Sequence, residues 1–238
     1  MIPLYIYGGY FAYRFQYLIF MLPALILMAA AQWMVSSRYK RYGAIPNRES
    51  LSGREAVERI LAANGIFDVG VAVTSGRLSD HYHPKKKTVF LSNDVYYGTS
   101  IASVGIAAHE AGHAVQDAKG YAPLKIRLFM VPVCNIGSNL GLPLVILGVI
   151  FASEWLIYGG LILFSLAVVF QLITLPVEFN ASRRAMAEIR GGGLMAPDEA
   201  DGAQKVLTAA AMTYVAALAQ SVMTLLYYIT RFGSRNDR

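Results

Sequence analysis

Four stretches of this chain contain no Asp, Glu, Lys, Arg or His: residues 15–37, 128–153, 155–177 and 206–230. Each can supply the ~20 apolar residues that a helix needs to cross a hydrocarbon core. A buried helix of a soluble protein is typically shorter, about 8–20 residues, and carries a polar stripe. Four such runs in one chain therefore predict a mainly α membrane protein with about four transmembrane helices. The charged residues, only 15% of the sequence against 55% hydrophobic, are gathered into the segments between these runs. Any polar chemistry has to be built there.

The first run, "FQYLIFMLPALILMAAAQWMV", has no basic residue at the very start and outlasts the ~7–15 apolar residues of a signal peptide, so it reads as a retained anchor. Between the first and second runs lie 13 Lys and Arg, and between the third and fourth lie Arg183, Arg184, Arg190 and Lys205. The turn "ASEW" between the second and third has none. By the positive-inside rule both basic segments face the cytoplasm of a multi-pass membrane protein. The tail "RFGSRNDR" is discordant, because four full crossings put its arginines outside. The net charge of +6 is accounted for by topology and anionic headgroups. No aromatic-interleaved basic patch points to nucleic acid. Cys134 stands alone and forms no internal disulfide.

The expected organisation is a transmembrane anchor at 1–37, a cytoplasmic segment at 38–127, a transmembrane hairpin at 128–177, a cytoplasmic helix at 178–205, and a fourth transmembrane helix with its tail at 206–238. Within 38–127, "SGREAVERILAANG" opens with a capping box, Ser52 and Glu55, and places Ala56, Val57, Ile60 and Leu61 on one face. "GVAVTSG" and "KTVFLS" flank the turn-like "RLSDHYHPK" and read as a small hairpin or two neighbouring strands. "TSIASVGIAAHEAGHAVQDAKG" reads as a helix capped by Thr99 or Ser100 and ended by Gly120. The soluble part is thus a small α+β segment, a short hairpin plus this helix.

On that helix His109 and His113, at i and i+4, project from one face and can aim imidazole nitrogens at one ion. Zn2+ suits two imidazoles and a carboxylate, with a fourth position for water. Glu110, rotated by about 100° from His109, stands beside that position as a base. The plain alternative is a solvated or internally hydrogen-bonded polar face. Ala108, Ala111, Gly112 and Ala114 are small and permit close approach by other helices. On the residues alone, two sources of a third ligand stand side by side. His81 and His83 share one face of a strand but sit beside Pro84 and Lys85 to Lys87, where an exposed turn is the plainer account. Glu178, in "LPVEFNASRRAMAEI", follows the third uncharged run and shares a helical face with Ser182 and Ala185.

Taken together, "HEAGH", "SDHYHPKKKTVFLSNDVY" and "LPVEFNASRRA" resemble the YugP-type neutral zinc metallopeptidases of bacterial membranes, and more distantly the HtpX-like membrane gluzincins. The resemblance spans nearly the whole chain. It implies a Zn2+ cofactor held by His109, His113 and Glu178, with Glu110 as catalytic base of a metallopeptidase acting on peptides or membrane proteins at the bilayer. One departure stands out: HtpX-like enzymes carry an Asp where this chain has Ser182, which leaves Ser182 or Asn180 to orient a ligand. Tyr214, Asn180 and Arg183 are candidate donors to the oxyanion, and a substrate strand could add near "TVFLS". A zinc carrier would need ligands inside spanning helices, and the four runs hold none. An inactive scaffold differs from the enzyme only in assay.

Overall fold

The computed structural model describes residues 4–233, and side chains within 18–232 other than that of Ser138. In chain order the elements are α1 (Leu4–Gly43), α2 (Gly53–Ala63), β1 (Gly70–Thr74), β2 (His81–His83), β3 (Thr88–Ser92), α3 (Asn93–Tyr96), α4 (Ile101–Ala118), α5 (Ala122–Ile150), α6 (Glu154–Gly191) and α7 (Pro197–Gly233). Three of the four uncharged runs fall within α1, α6 and α7, and the second occupies α5 up to its end at Ile150 and the turn that follows; each of these helices is long and apolar enough to cross a membrane. These helices continue into charged sequence, because loss of hydrophobicity marks the edge of a lipid span but does not stop a helix. The tail arginines Arg235 and Arg238 lie outside the described residues.

One compact unit comprises Met1–Ala31, Phe129–Leu172 and Thr213–Arg238. Within it α5 and α6 meet backbone to backbone: a Cβ at Gly141 would lie 2.8 Å from the Phe164 nitrogen, and one at Gly160 would lie 2.6 Å from the Gly141 carbonyl oxygen. Small residues allow such an approach, which in lipid substitutes van der Waals packing for the missing hydrophobic drive. Ile26, Ile136 and Ile162 stand exposed on these long apolar helices.

The second unit, Gln32–Leu128 with Ile173–Met212, contains most of the polar groups discussed below. The capping box of α2 forms as its sequence requires, with Ser52 accepting from the Glu55 amide and Glu55 Oε2 accepting from the Ser52 amide at 2.8 Å. The apolar face of α2 (Val57, Ile60, Leu61) joins Val89 and Leu91 of β3 and Val104 of α4 in one core. The sheet order is β1-β3-β2. "GVAVT" and "TVFLS" are parallel neighbours, Gly70 opposite Thr88 and Thr74 opposite Ser92, so they are not the two arms of a hairpin. The hairpin is β2–β3: part of the turn-like "RLSDHYHPK" is itself an antiparallel strand, with Tyr82 opposite Val89. Because β3 is central, both of its edges are used and no added strand can pair at "TVFLS".

Ser100 caps α4 by accepting from the Ser103 amide at 3.0 Å, and Gly120, at φ +66°, follows its C-terminus. Almost all of α4 is buried. At Gly112 the backbone of α6 comes so near that a Cβ would lie 2.7 Å from the Ala181 carbonyl oxygen. The glycine inside "HEAGH" thereby sets α6 directly over the histidine face.

Candidate metal centre

The helical spacing of His109 and His113 puts their ring centroids 4.8 Å apart, nearly perpendicular. Close docking at Gly112 brings Glu178 of α6 to the same place. Glu178 Oε2 lies 3.2 Å from His109 Nε2 and 3.5 Å from His113 Nε2. Atoms bound about 2.0–2.1 Å from a tetrahedral zinc would be separated from each other by about 3.3 Å. The donor set, two imidazoles and a carboxylate, fits zinc in both chemistry and spacing. Among the described residues, His109, His113 and Glu178 are the group whose ligand atoms converge in this way, all within 4.8 Å of one another.

The surrounding side chains hold these three in place. Glu178 is 2% exposed, and its other oxygen, Oε1, accepts from Arg127 Nη1 at 2.8 Å. Ser182 Oγ sits 3.1 Å from His109 Nδ1, taking the orienting position that the sequence left open between Ser182 and Asn180. Gln116 meets His113 from one turn further along α4, its Oε1 3.0 Å from His113 Nδ1. Asn180 serves one step further out, accepting from Gln116 Nε2 at 3.0 Å and from Arg184 Nε at 2.8 Å.

Glu110 lies next to the cluster, buried, with Oε2 accepting from the Tyr82 amide of β2 at 3.0 Å. That strand is fixed in turn: the Tyr82 hydroxyl donates to Asp117 at 2.8 Å, and Lys87 Nζ donates to the same oxygen at 3.0 Å. Burial pushes the Glu110 carboxyl up to about 7, helped by the charges of Glu178 and Asp80 and opposed by His109 and the Tyr82 amide. A carboxyl raised on folding binds its proton more tightly in the native state, so its contribution falls as pH rises from the ordinary carboxylate range through about 7. In metal-free protein, Glu110→Gln is therefore expected to stabilise the fold at pH 8, by on the order of 3 kcal/mol at most, and to change it little at pH 4. Denaturation of both proteins at the two pH values checks this; an equal difference at both would remove the buried carboxylate as its cause.

The alternative ligands lie elsewhere. His81 stacks on Phe90 with centroids 5.1 Å apart, and His83 caps the turn at Pro84–Lys86 by accepting from the Lys86 amide. Between them Tyr82 turns inward, so the strand alternation that lets the two histidines share a face gives them the outer one. Of the expected oxyanion donors, Arg183 is exposed and Asn180 is engaged as described, while Tyr214 belongs to the other compact unit.

The profile of a family described as "Putative neutral zinc metallopeptidase" matches residues 17–233. The chain belongs to this family of zinc metallopeptidases. It is also 44% identical over 214 residues to the "Putative membrane protease YugP" of Bacillus subtilis (strain 168), covering 90% of this chain and 95% of that protein. No solved structure matches. The zinc reading of the His109, His113 and Glu178 cluster thus agrees with both its geometry and the family. Sequence reasoning missed Arg127, Gln116 and the Tyr82 amide. Gln116, at i+3 from His113, was within reach of helical spacing. The other two required the fold.

Proposed function

We propose that this metallopeptidase hydrolyses peptide bonds with zinc held by His109, His113 and Glu178 and with Glu110 as general base. The observation that carries the reading is the convergence of Glu178 Oε2 on two imidazole nitrogens at 3.2 and 3.5 Å, with the Glu110 carboxyl beside them on α4. When bound, zinc would acidify a water and polarise the scissile carbonyl.

The chain's own groups supply the proton transfers. Glu110 takes a proton from water as the water oxygen attacks the carbonyl carbon. It returns that proton to the amide nitrogen as the C–N bond breaks. The Tyr82 amide holds one carboxylate oxygen and leaves the other for the water.

The basic residues of 38–127 support an active site on the cytoplasmic side. The four apolar helices, with the relative's name as a membrane protease, support membrane proteins or their loose ends as substrates. A carrier is disfavoured because His109 and His113 stand on α4, which is not one of the four long apolar helices. Detergent-purified protein is expected to cleave an unfolded protein substrate, to stop when a zinc chelator is added, and to recover with Zn2+ but not Mg2+. Cleavage that survives chelation would rule out the metal-assisted reaction.

A further inference from the structure

The two histidines of the cluster are held by different kinds of partner. His109 Nδ1 faces the Ser182 hydroxyl at 3.1 Å, a group that donates or accepts and so dictates no tautomer. His113 Nδ1 faces a Gln116 amide that has no such freedom.

The orientation of that amide is fixed twice. Val177 offers a backbone carbonyl, which only accepts, so the Gln116 atom 2.8 Å from it is the nitrogen. Arg184 Nε only donates, and it lies 2.8 Å from Asn180 Oδ1; that atom is therefore an oxygen, and the Gln116 atom 3.0 Å from it must again be the nitrogen. The remaining Gln116 atom, Oε1, accepts only, and it lies 3.0 Å from His113 Nδ1. The neutral His113 imidazole must therefore carry its proton on Nδ1, which leaves a lone pair on Nε2, the nitrogen facing Glu178.

We infer that Gln116 is a positioning residue that locks His113 in the tautomer able to ligate through Nε2, with Arg184 and Asn180 fixing the Gln116 amide. The inference rests on His113 being a metal ligand. Gln116 is fully buried and His113 nearly so, so water does not compete for these contacts. Without the lock, the proton would have to leave Nε2 before a metal could bind there. Outer-shell partners of this kind are worth about 10–100-fold in metal affinity.

The first test is 15N-histidine NMR on metal-free wild type in detergent above the imidazole titration range, with the His113 signal identified by its loss in His113→Asn. Nδ1–H is the expected form, and a proton on Nε2 overturns the inference without any further variant. The second test is zinc affinity by chelator competition. Gln116→Leu is expected to weaken binding by about 10–100-fold and to move the His113 proton toward Nε2. A folded Gln116→Leu protein that binds zinc as tightly as wild type overturns the lock. If that variant does not fold, the wild-type spectrum still decides. Wild type that binds no zinc overturns the metal-site reading instead, and the spectrum still decides the tautomer.

Discussion

Glu110→Gln should leave the protein folded and able to load zinc, and should lower kcat/KM by about 10²–10⁴-fold, the usual contribution of a general acid–base group. Glutamine has the shape of glutamate and keeps a carbonyl oxygen that can accept from the Tyr82 amide, so the contact seen at 3.0 Å survives. Glu110 is not one of the three groups whose ligand atoms converge, so metal content has no reason to fall. What is lost is the proton acceptor itself. The amide can hold a water but cannot take its proton, so the loss should appear in kcat more than in KM. Zinc content and steady-state cleavage measured on the same preparation separate the possibilities. Near wild-type cleavage with zinc bound would show that the base is another group.

The same substitution is expected to stabilise metal-free protein at alkaline pH, which ties the reaction to a cost in the fold. A carboxyl buried beside Glu178 and Asp80 is kept where its charge is unfavourable. A residue chosen for stability alone would not be ionisable there.

How much of this was readable beforehand depended on the reach of each signal. The four apolar helices were legible because a long uncharged run is a local property, complete within the segment that carries it. The histidine pair was legible for the same reason, since helical spacing places i and i+4 on one face wherever the helix goes. The sheet was only half legible. "GVAVT" and "TVFLS" announce strands, but whether neighbours run parallel is decided by the chain between them, and His81–His83 is too short for its alternation to stand out. At the metal centre the residues split in the same way. Glu178 entered through the family resemblance, because on the residues alone it competed with His81 and His83. Gly112 was noted as small, but its partner, the Ala181 carbonyl, is set by tertiary packing. Arg127 gave no signal: an arginine just before an apolar run is ordinary until the fold turns it onto a buried carboxylate.

That arginine bears on the second large effect expected. Glu178→Ala should abolish stoichiometric zinc binding, a loss greater than the about 10–100-fold that follows removal of an outer-shell partner. The substitution takes away one of three ligand atoms, and it does more. Arg127 Nη1, now 2.8 Å from Glu178 Oε1, would be left without its carboxylate beside the two histidines, adding a positive charge to a site meant for a divalent cation. Glu178→Gln reveals this second effect with an oxygen still in place. It fills the same volume and still offers an oxygen, yet it leaves the Arg127 charge uncompensated, so its affinity should lie between those of wild type and Glu178→Ala. Adding Arg127→Ala to Glu178→Gln should then recover part of the loss, because relieving the repulsion costs no ligand. Metal analysis of the purified proteins, with a melting curve for each to confirm folding, reads all three. Full zinc in folded Glu178→Ala would mean that the third ligand is not Glu178, and His81 and His83 would return as the nearest histidines in sequence to examine. Recovery in the double variant would show that the Arg127 charge itself repels the metal once the carboxylate is gone, so that the brace of the wild type becomes a barrier.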